Sequence, residues 1–266
     1  MKIGVFDSGL GGLSIVRAIR TLMPNDDILY VGDTAYVPWG GRPESWIEQR
    51  SSQISQYLID CGADAIVVAC NTATAHAVQS LRERFSVPII GVEPPIKPAC
   101  AFGSRKVLVL ATERTFQSTR FHLLVERYAL GRQLLLRASP DLVEVVEAGK
   151  HDAVSTIGLL QAILEPCMNN TVDAVVLGCT HFSWLRPAME RLALGRFSIF
   201  DPALAVANRV QGVLVPFSKP PGRESGISLL FSSDMAARVS LLDILMQGES
   251  YELGRFELTQ SNGLVV

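Results

Sequence analysis

Two cysteines stand in near-twin settings. Cys70 lies in AIVVACNTAT and Cys179 lies in AVVLGCTHF. Each follows a run of small and β-branched apolar residues, and each is followed by short hydroxyl or amide residues with a histidine nearby. They are too far apart in the chain to form one local clip, so they read as matching points in two similar halves. Two such thiols are the parts of a site with one acid and one base facing each other. That arrangement moves a proton from one face of a carbon to the other. A thiol suits both roles because its ordinary pKa, about 8.5, is close to working pH.

The neighbours of the pair strengthen this reading. Asn71, Thr72, Thr180 and His181 supply short polar groups, and each cysteine precedes a predicted helix start. That placement is expected to lower a thiol's pKa and to bind a carboxylate in the same place. His181 is a candidate general acid or base, or a group that orients a substrate. A lone cysteine is more often a small buried hydrophobe. Cys61, Cys100 and Cys167 lie within or beside helical segments with no polar cluster and are read that way. His76 reads as a surface or helix-packing residue, and His122 and His151 have no supporting context. Four scattered histidines without HExxH, and five cysteines without a CxxC pair, give no metal signal.

The elements that must position these residues alternate. Short apolar runs are expected as strands at 2–6, 28–32, 65–69, 89–91, 106–111, 133–137, 174–178, 198–201 and 228–231. Their Val/Ile-rich runs lack strict polar alternation, as in parallel strands covered on both faces. Helices are expected at 13–23, 43–61, 73–85, 115–129, 155–169, 185–192 and 201–214, with another starting near Asp234. This repetition predicts an α/β doubly wound fold with mainly parallel sheets and right-handed crossovers. The proline-rich stretch 91–98 reads as a crossing between halves and 216–225 as a surface loop. The tail 255–264 reads as a possible antiparallel edge element.

In open α/β sheets the ligand site lies beyond the carboxyl ends of the strands. Those places hold Asp7–Ser8–Gly9, Gly32–Asp33–Thr34 and Cys70–Asn71–Thr72 in the first half. In the second half they hold Thr112–Glu113 and Gly178–Cys179–Thr180–His181. The glycines of DSGLGGLS do not match the spacing of a dinucleotide fingerprint, but the helix they open would offer free N–H groups to an anion.

Bulk properties exclude several classes. The 266 residues amount to roughly two domains at the usual ~150 residues each. A net charge of −2 gives no basic footprint for nucleic acid or a membrane surface. The opening MKIGVFDSG enters a strand directly, so no signal peptide is read, and no apolar run reaches about 18 residues. With the irregular cysteines, this fits a protein of the reducing cytoplasm.

Taken together, FDSGLGGLS, YVGDTAYVPWG, ACNTA, GVEPPIKPA and LGCTH, in that order, resemble glutamate racemase over essentially the whole chain. The resemblance implies two pseudo-symmetric flavodoxin-like domains, residues 1–95 plus 210–266 and residues 96–209, with the site in the cleft between them. It implies cofactor-independent interconversion of L- and D-glutamate for peptidoglycan synthesis in the cytoplasm, and a homodimer. Cys70 and Cys179 would be the two acid/base residues, Cys70 taking the proton from D-glutamate and Cys179 from L-glutamate. Asp7 and His181 would be their respective helpers, with Glu147 a further acid near Cys179. Ser8, Trp39, Gly40, Asn71, Thr72, Thr180 and His181, with Asp7, would hold the substrate.

The chain departs from the family pattern at four places. Trp39 replaces a usual Tyr, Pro95 an Ala, Ser139 a Cys, and Phe182 a Tyr. The chain also lacks the N-terminal extension of family members activated by a cell-wall precursor, so no such activation is expected. Neighbouring readings are an aspartate or hydantoin racemase, an inactive amino-acid-binding module, and a thiol-redox protein. The DSGLGG turn favours glutamate, and the two cysteines argue against the inactive module.

Overall fold

The computed structural model describes residues 1–169, 171–214 and 225–258. The chain begins with β1 (Lys2–Asp7), α1 (Leu13–Leu22), β2 (Asp27–Gly32), α2 (Glu44–Asp60), β3 (Ala65–Val68), α3 (Asn71–Arg84) and β4 (Ile89–Gly91). It continues with α4 (Ile96–Ala101), β5 (Lys106–Ala111), α5 (Glu113–Gln117), α6 (Thr119–Tyr128) and β6 (Gln133–Ala138). Next come α7 (Pro140–Glu147), α8 (Val154–Met168), β7 (Ala174–Gly178), α9 (Arg186–Ala193) and β8 (Ser198–Phe200). The last elements are α10 (Ala203–Leu214), β9 (Ile227–Phe231), α11 (Val239–Met246) and β10 (Glu252–Arg255).

Two parallel sheets result. The first has the order β10-β9-β2-β1-β3-β4 and the second β6-β5-β7-β8. The order β2-β1-β3-β4 in one repeats as β6-β5-β7-β8 in the other, so β3 and β7 are equivalent strands. Their buried runs AIVV and AVVLG explain the missing alternation, since helices cover both faces of each sheet. Burying one such Val or Ile contributes about 1.5–3 kcal/mol. On the first sheet, Leu13, Ile15, Val16 and Ile19 of α1 share a core with Val206, Ala207 and Val210 of α10. That contact returns the late chain to the first sheet.

Several elements differ from the sequence expectation. The edge strand β10 pairs with β9 in parallel, not antiparallel, and lies mostly ahead of the tail. The single helix expected over 115–129 is two, because Ser118 leaves the helical region (φ −75°, ψ 141°) and caps α6 through Phe121 N–H. Helix α7, begun by Pro140 at its first turn, was not foreseen and carries Glu147. The expected loop 216–225 and the tail end 259–264 fall almost wholly outside the described residues.

Candidate active site

The sheet order places the chemistry. In an order of 2-1-3-4 the crevice opens where β1 and β3 diverge in their connections. Asp7 closes β1 and Cys70 follows β3. At the equivalent point of the second sheet, Thr112 follows β5 and Cys179 follows β7.

Cys70 is the residue before α3, with extended backbone (φ −130°, ψ 121°), and its sulfur accepts from Ala73 N–H at 3.5 Å. Ser, Thr, Asp or Asn is the usual residue there. The same thiol donates to Ser8 Oγ at 3.7 Å. Cys179 has the matching extended backbone but heads a 3-10 segment, Thr180–Leu185, which separates it from the expected helix, α9. Its Sγ lies 3.8 Å from His181 Nδ1. Both thiols are buried, at 5% and 6% exposure.

Burial pushes the Cys70 thiol far up, and the neighbouring Asp7 charge adds to that push. The Cys179 charge adds a lesser push in the same direction. The expectation of a lowered pKa therefore fails at Cys70, because loss of water outweighs the helix start. His181 behaves in the opposite sense. Its burial opposes a positive charge, but hydrogen bonds and charges from Cys179 and Glu147 prevail and raise it well above its ordinary value.

His181 Nε2 lies 2.7 Å from Glu147 Oε1, and the same oxygen accepts from Leu10 N–H at 2.7 Å. Asp7 is fully buried, and burial raises its pKa despite the nearby His181. Its Oδ2 accepts from Gly12 N–H at 2.7 Å and from Thr180 Oγ1 at 3.4 Å. Among the described residues, Asp7 makes no hydrogen bond to Cys70; Ser8 makes that contact. Two N–H groups of the DSGLGG turn, those of Leu10 and Gly12, are thus engaged by two protein carboxylates where an anion was expected.

Close approach explains two glycines in that turn. A Cβ on Gly9 would sit 2.0 Å from Glu147 Oε1, and one on Gly11 would sit 2.6 Å from the His181 backbone nitrogen. The turn is packed against the second sheet's own active loop. Other contacts cross the same interface: Thr72 Oγ1 to Thr112 Oγ1 at 3.0 Å, and Trp184 Nε1 donating to Gly11 O at 3.2 Å. His76 has its ring between Glu44 (3.1 Å) and the Arg114 carbonyl (3.1 Å), which makes it a packing residue.

Asn71 donates to Val92 O at 3.4 Å, leaving its buried Oδ1 without a partner among the described residues. Trp39 is buried against Phe6 and, edge-on, Trp46, so its ring is core and its indole N–H is unpartnered among the described residues. Gly40 brings the backbone against Thr112, where an added Cβ would be 3.1 Å from the Thr112 Cβ. Sequence reasoning missed Trp184 and Arg238 as parts of this region. Arg238 Nη1 lies 3.8 Å from Glu147 Oε2, and nothing in its local sequence marks it. Among the described residues no group of three or more His, Cys, Asp or Glu is arranged to hold a metal ion, and no helix is long and apolar enough to cross a membrane.

The family profile described as Asp/Glu/Hydantoin racemase matches residues 14–210. Glutamate racemase of Ectopseudomonas mendocina is 39% identical over 96% of this chain and 97% of that protein. Glutamate racemase of Pseudomonas aeruginosa is 42% identical over 80% of this chain and 81% of that protein. The crystal structure of Escherichia coli glutamate racemase, in complex with L-glutamate and the activator UDP-MurNAc-Ala, superposes with a TM-score of 0.86 at 30% identity, covering 97% of this chain and 98% of that one. That of the Francisella tularensis glutamate racemase in complex with D-glutamate gives 0.84 at 25%, covering 97% of each chain. Fold, site and relatives together define an isomerase of the amino-acid racemase class. The chain belongs to the Asp/Glu/hydantoin racemase family.

Proposed function

We propose that this protein interconverts L- and D-glutamate, with Cys70 and Cys179 as the two acid/base groups. The observation that carries the reading is the placement of two buried thiols after the equivalent strands β3 and β7, on loops joined by the Thr180–Asp7 and Thr72–Thr112 contacts. The substrate assignment is supported by the relatives named glutamate racemase and by two neighbours holding opposite glutamate enantiomers.

An amino acid's α-proton is very weakly acidic, so the transition state needs a dry, preorganised site. One sulfur, as thiolate, removes the proton from one face while the other, as thiol, donates to the opposite face. In the resting site burial keeps Cys70 as a thiol, and His181 carries positive charge beside Cys179. Cys179 is the side resembling the L-glutamate base of the family. Asp7 helps Cys70 through its field, and His181, held by Glu147, helps Cys179. For the substrate, Asp7 Oδ1 and Asn71 Oδ1 are buried acceptors suited to an ammonium group. Ser8, Thr72, Thr180 and the Trp39–Gly40 backbone complete the holding set. The product would serve peptidoglycan synthesis in the cytoplasm, the protein acting as a homodimer with no cofactor, and all of α10 would belong to the first unit rather than dividing at residue 210.

The deciding experiment incubates the protein with each enantiomer of glutamate and of aspartate in deuterated water, following circular dichroism and α-deuterium. Loss of optical activity with deuterium gain is expected for glutamate. Turnover of aspartate alone would overturn the substrate assignment.

A further inference from the structure

Glu147 has one carboxylate oxygen still without a role. Its Oε1 serves Leu10 N–H and His181, while Oε2 is buried and has no hydrogen-bond partner among the described residues. The guanidinium of Arg238 faces that oxygen, with Nη1 at 3.8 Å. This is an ion pair still about 1 Å longer than a charge-assisted hydrogen bond.

The two partners belong to different cores. Arg238 ends the short 3-10 turn Ala236–Arg238, anchored on the first sheet's core through Met235 before it and Leu242 and Leu245 after it. Glu147 ends α7, whose Leu142, Val143 and Val146 lie in the second sheet's core. A second contact ties the same segments. Leu241 of α11 lies against Gly149, where a Cβ would meet Leu241 Cδ1 at 3.2 Å.

We propose that Arg238 is a positioning residue of the racemase site, reaching across from the C-terminal segment to hold Glu147 Oε2 so that Glu147 keeps His181 against Cys179. The inference rests on the reading of Cys179 as an acid/base group. A buried carboxylate is costly without a counter-ion. A guanidinium stays charged throughout the cycle. Arg238 therefore offers the buried Oε2 of Glu147 a fixed counter-charge in both halves of the cycle. The other titratable groups acting on this site are His181 itself, Cys179, the Asp7 carboxylate and the Tyr30 phenol. Arg238 is nearly half exposed, so its loss leaves the core intact.

The test compares Arg238→Gln, Arg238→Ala, Glu147→Gln and the double variant Arg238→Gln/Glu147→Gln, using the full chain. Both glutamate enantiomers are assayed for kcat, KM and pH profile, with thermal midpoints measured alongside. The expected result for both Arg238 variants is a kcat lowered about tenfold, in keeping with a small misplacement of an active group. KM should stay within about twofold, and the alkaline limb should move to lower pH. The double variant should be no slower than Glu147→Gln alone, because one pathway is being removed twice. Wild-type kcat and pH profile in Arg238→Gln would overturn the proposal, as would losses that multiply in the double variant. Cys179→Ala run beside them separates the two levels: full activity there sinks the underlying two-cysteine reading, whereas an inactive Cys179→Ala with an unaffected Arg238→Gln sinks this inference alone.

Discussion

His181 Nε2 lies 2.7 Å from Oε1 of Glu147, with both side chains nearly removed from water. The pair joins the loop after β7 to the end of α7, and its shared oxygen also takes the N–H of Leu10 from the first sheet's turn. The relationship therefore sets the charge on His181 and ties the two sheets together at the same atom.

Replacing Glu147 by Gln removes one of the groups that hold the His181 proton. Because His181 is raised in the folded protein, it stays charged across neutral pH and loses its charge as pH rises through that raised value. Its contribution to stability is present below its ordinary pKa of about 6.5 and is lost over the same rise. Glu147→Gln should move the alkaline limb of kcat/KM to lower pH and reduce kcat roughly ten- to a hundredfold. A pH–rate series on both proteins measures this, and an unmoved limb would speak against the link.

Single-cysteine variants should be one-sided. Cys70→Ser and Cys179→Ser should each lower racemisation by at least about a thousandfold, since serine is a far weaker acid and base at neutral pH. In deuterated water, any residual α-exchange should occur with one enantiomer and without inversion, the enantiomer differing between the two variants. NMR of recovered glutamate reads this directly. Full racemase activity in either variant would remove that cysteine from the mechanism.

The turn between β1 and α1 has no room for a methyl group. A Cβ at Gly11 would lie 2.6 Å from both the His181 backbone nitrogen and Thr180 Oγ1. Gly11→Ala should cost about 1–3 kcal/mol by overpacking, seen in urea unfolding. It should also lower kcat about a hundredfold by displacing His181. An unchanged unfolding midpoint with full activity would show that the interface opens freely.

Arg50 is a purely structural target in the same half. It pairs through two nitrogens with Asp33, at 2.6 and 2.9 Å, and Asp33 is fully buried. It also stacks over Tyr36 and Phe256. Arg50→Ala leaves a buried carboxylate without its counter-ion and should destabilise by about 3 kcal/mol, less if water enters the gap. Chemical denaturation checks the figure. Adding Asp33→Asn should recover part of the loss, since the orphaned charge is then gone.

How much of this was legible in the chain depends on the range of the contact. The apolar runs at β1, β3, β5 and β7 declared parallel, two-sided strands because both faces needed covering. Cys70 and Cys179 declared themselves by the polar residues after those runs. Helix α7 was not read, since its eight residues carry too little pattern to stand out, although Pro140 marks its start. The edge strand β10 was not read, and its parallel direction follows from the crossover by α11, which the sequence of the strand itself does not encode. Arg238 was invisible for a simpler reason: its partner is far away in the chain and its neighbours look like ordinary surface.

The sequence by itself determined the class of fold, the existence of two matching halves, and the residues at the strand ends, because apolar periodicity and residue type are local properties. Only the tertiary structure decided what those residues do to one another. The burial of Cys70 reversed its expected pKa direction, because desolvation depends on everything packed around the sulfur. The turn glycines, read as an opening for an anion, became the close contact that admits Glu147 and His181, because only folding brings that turn against the second sheet.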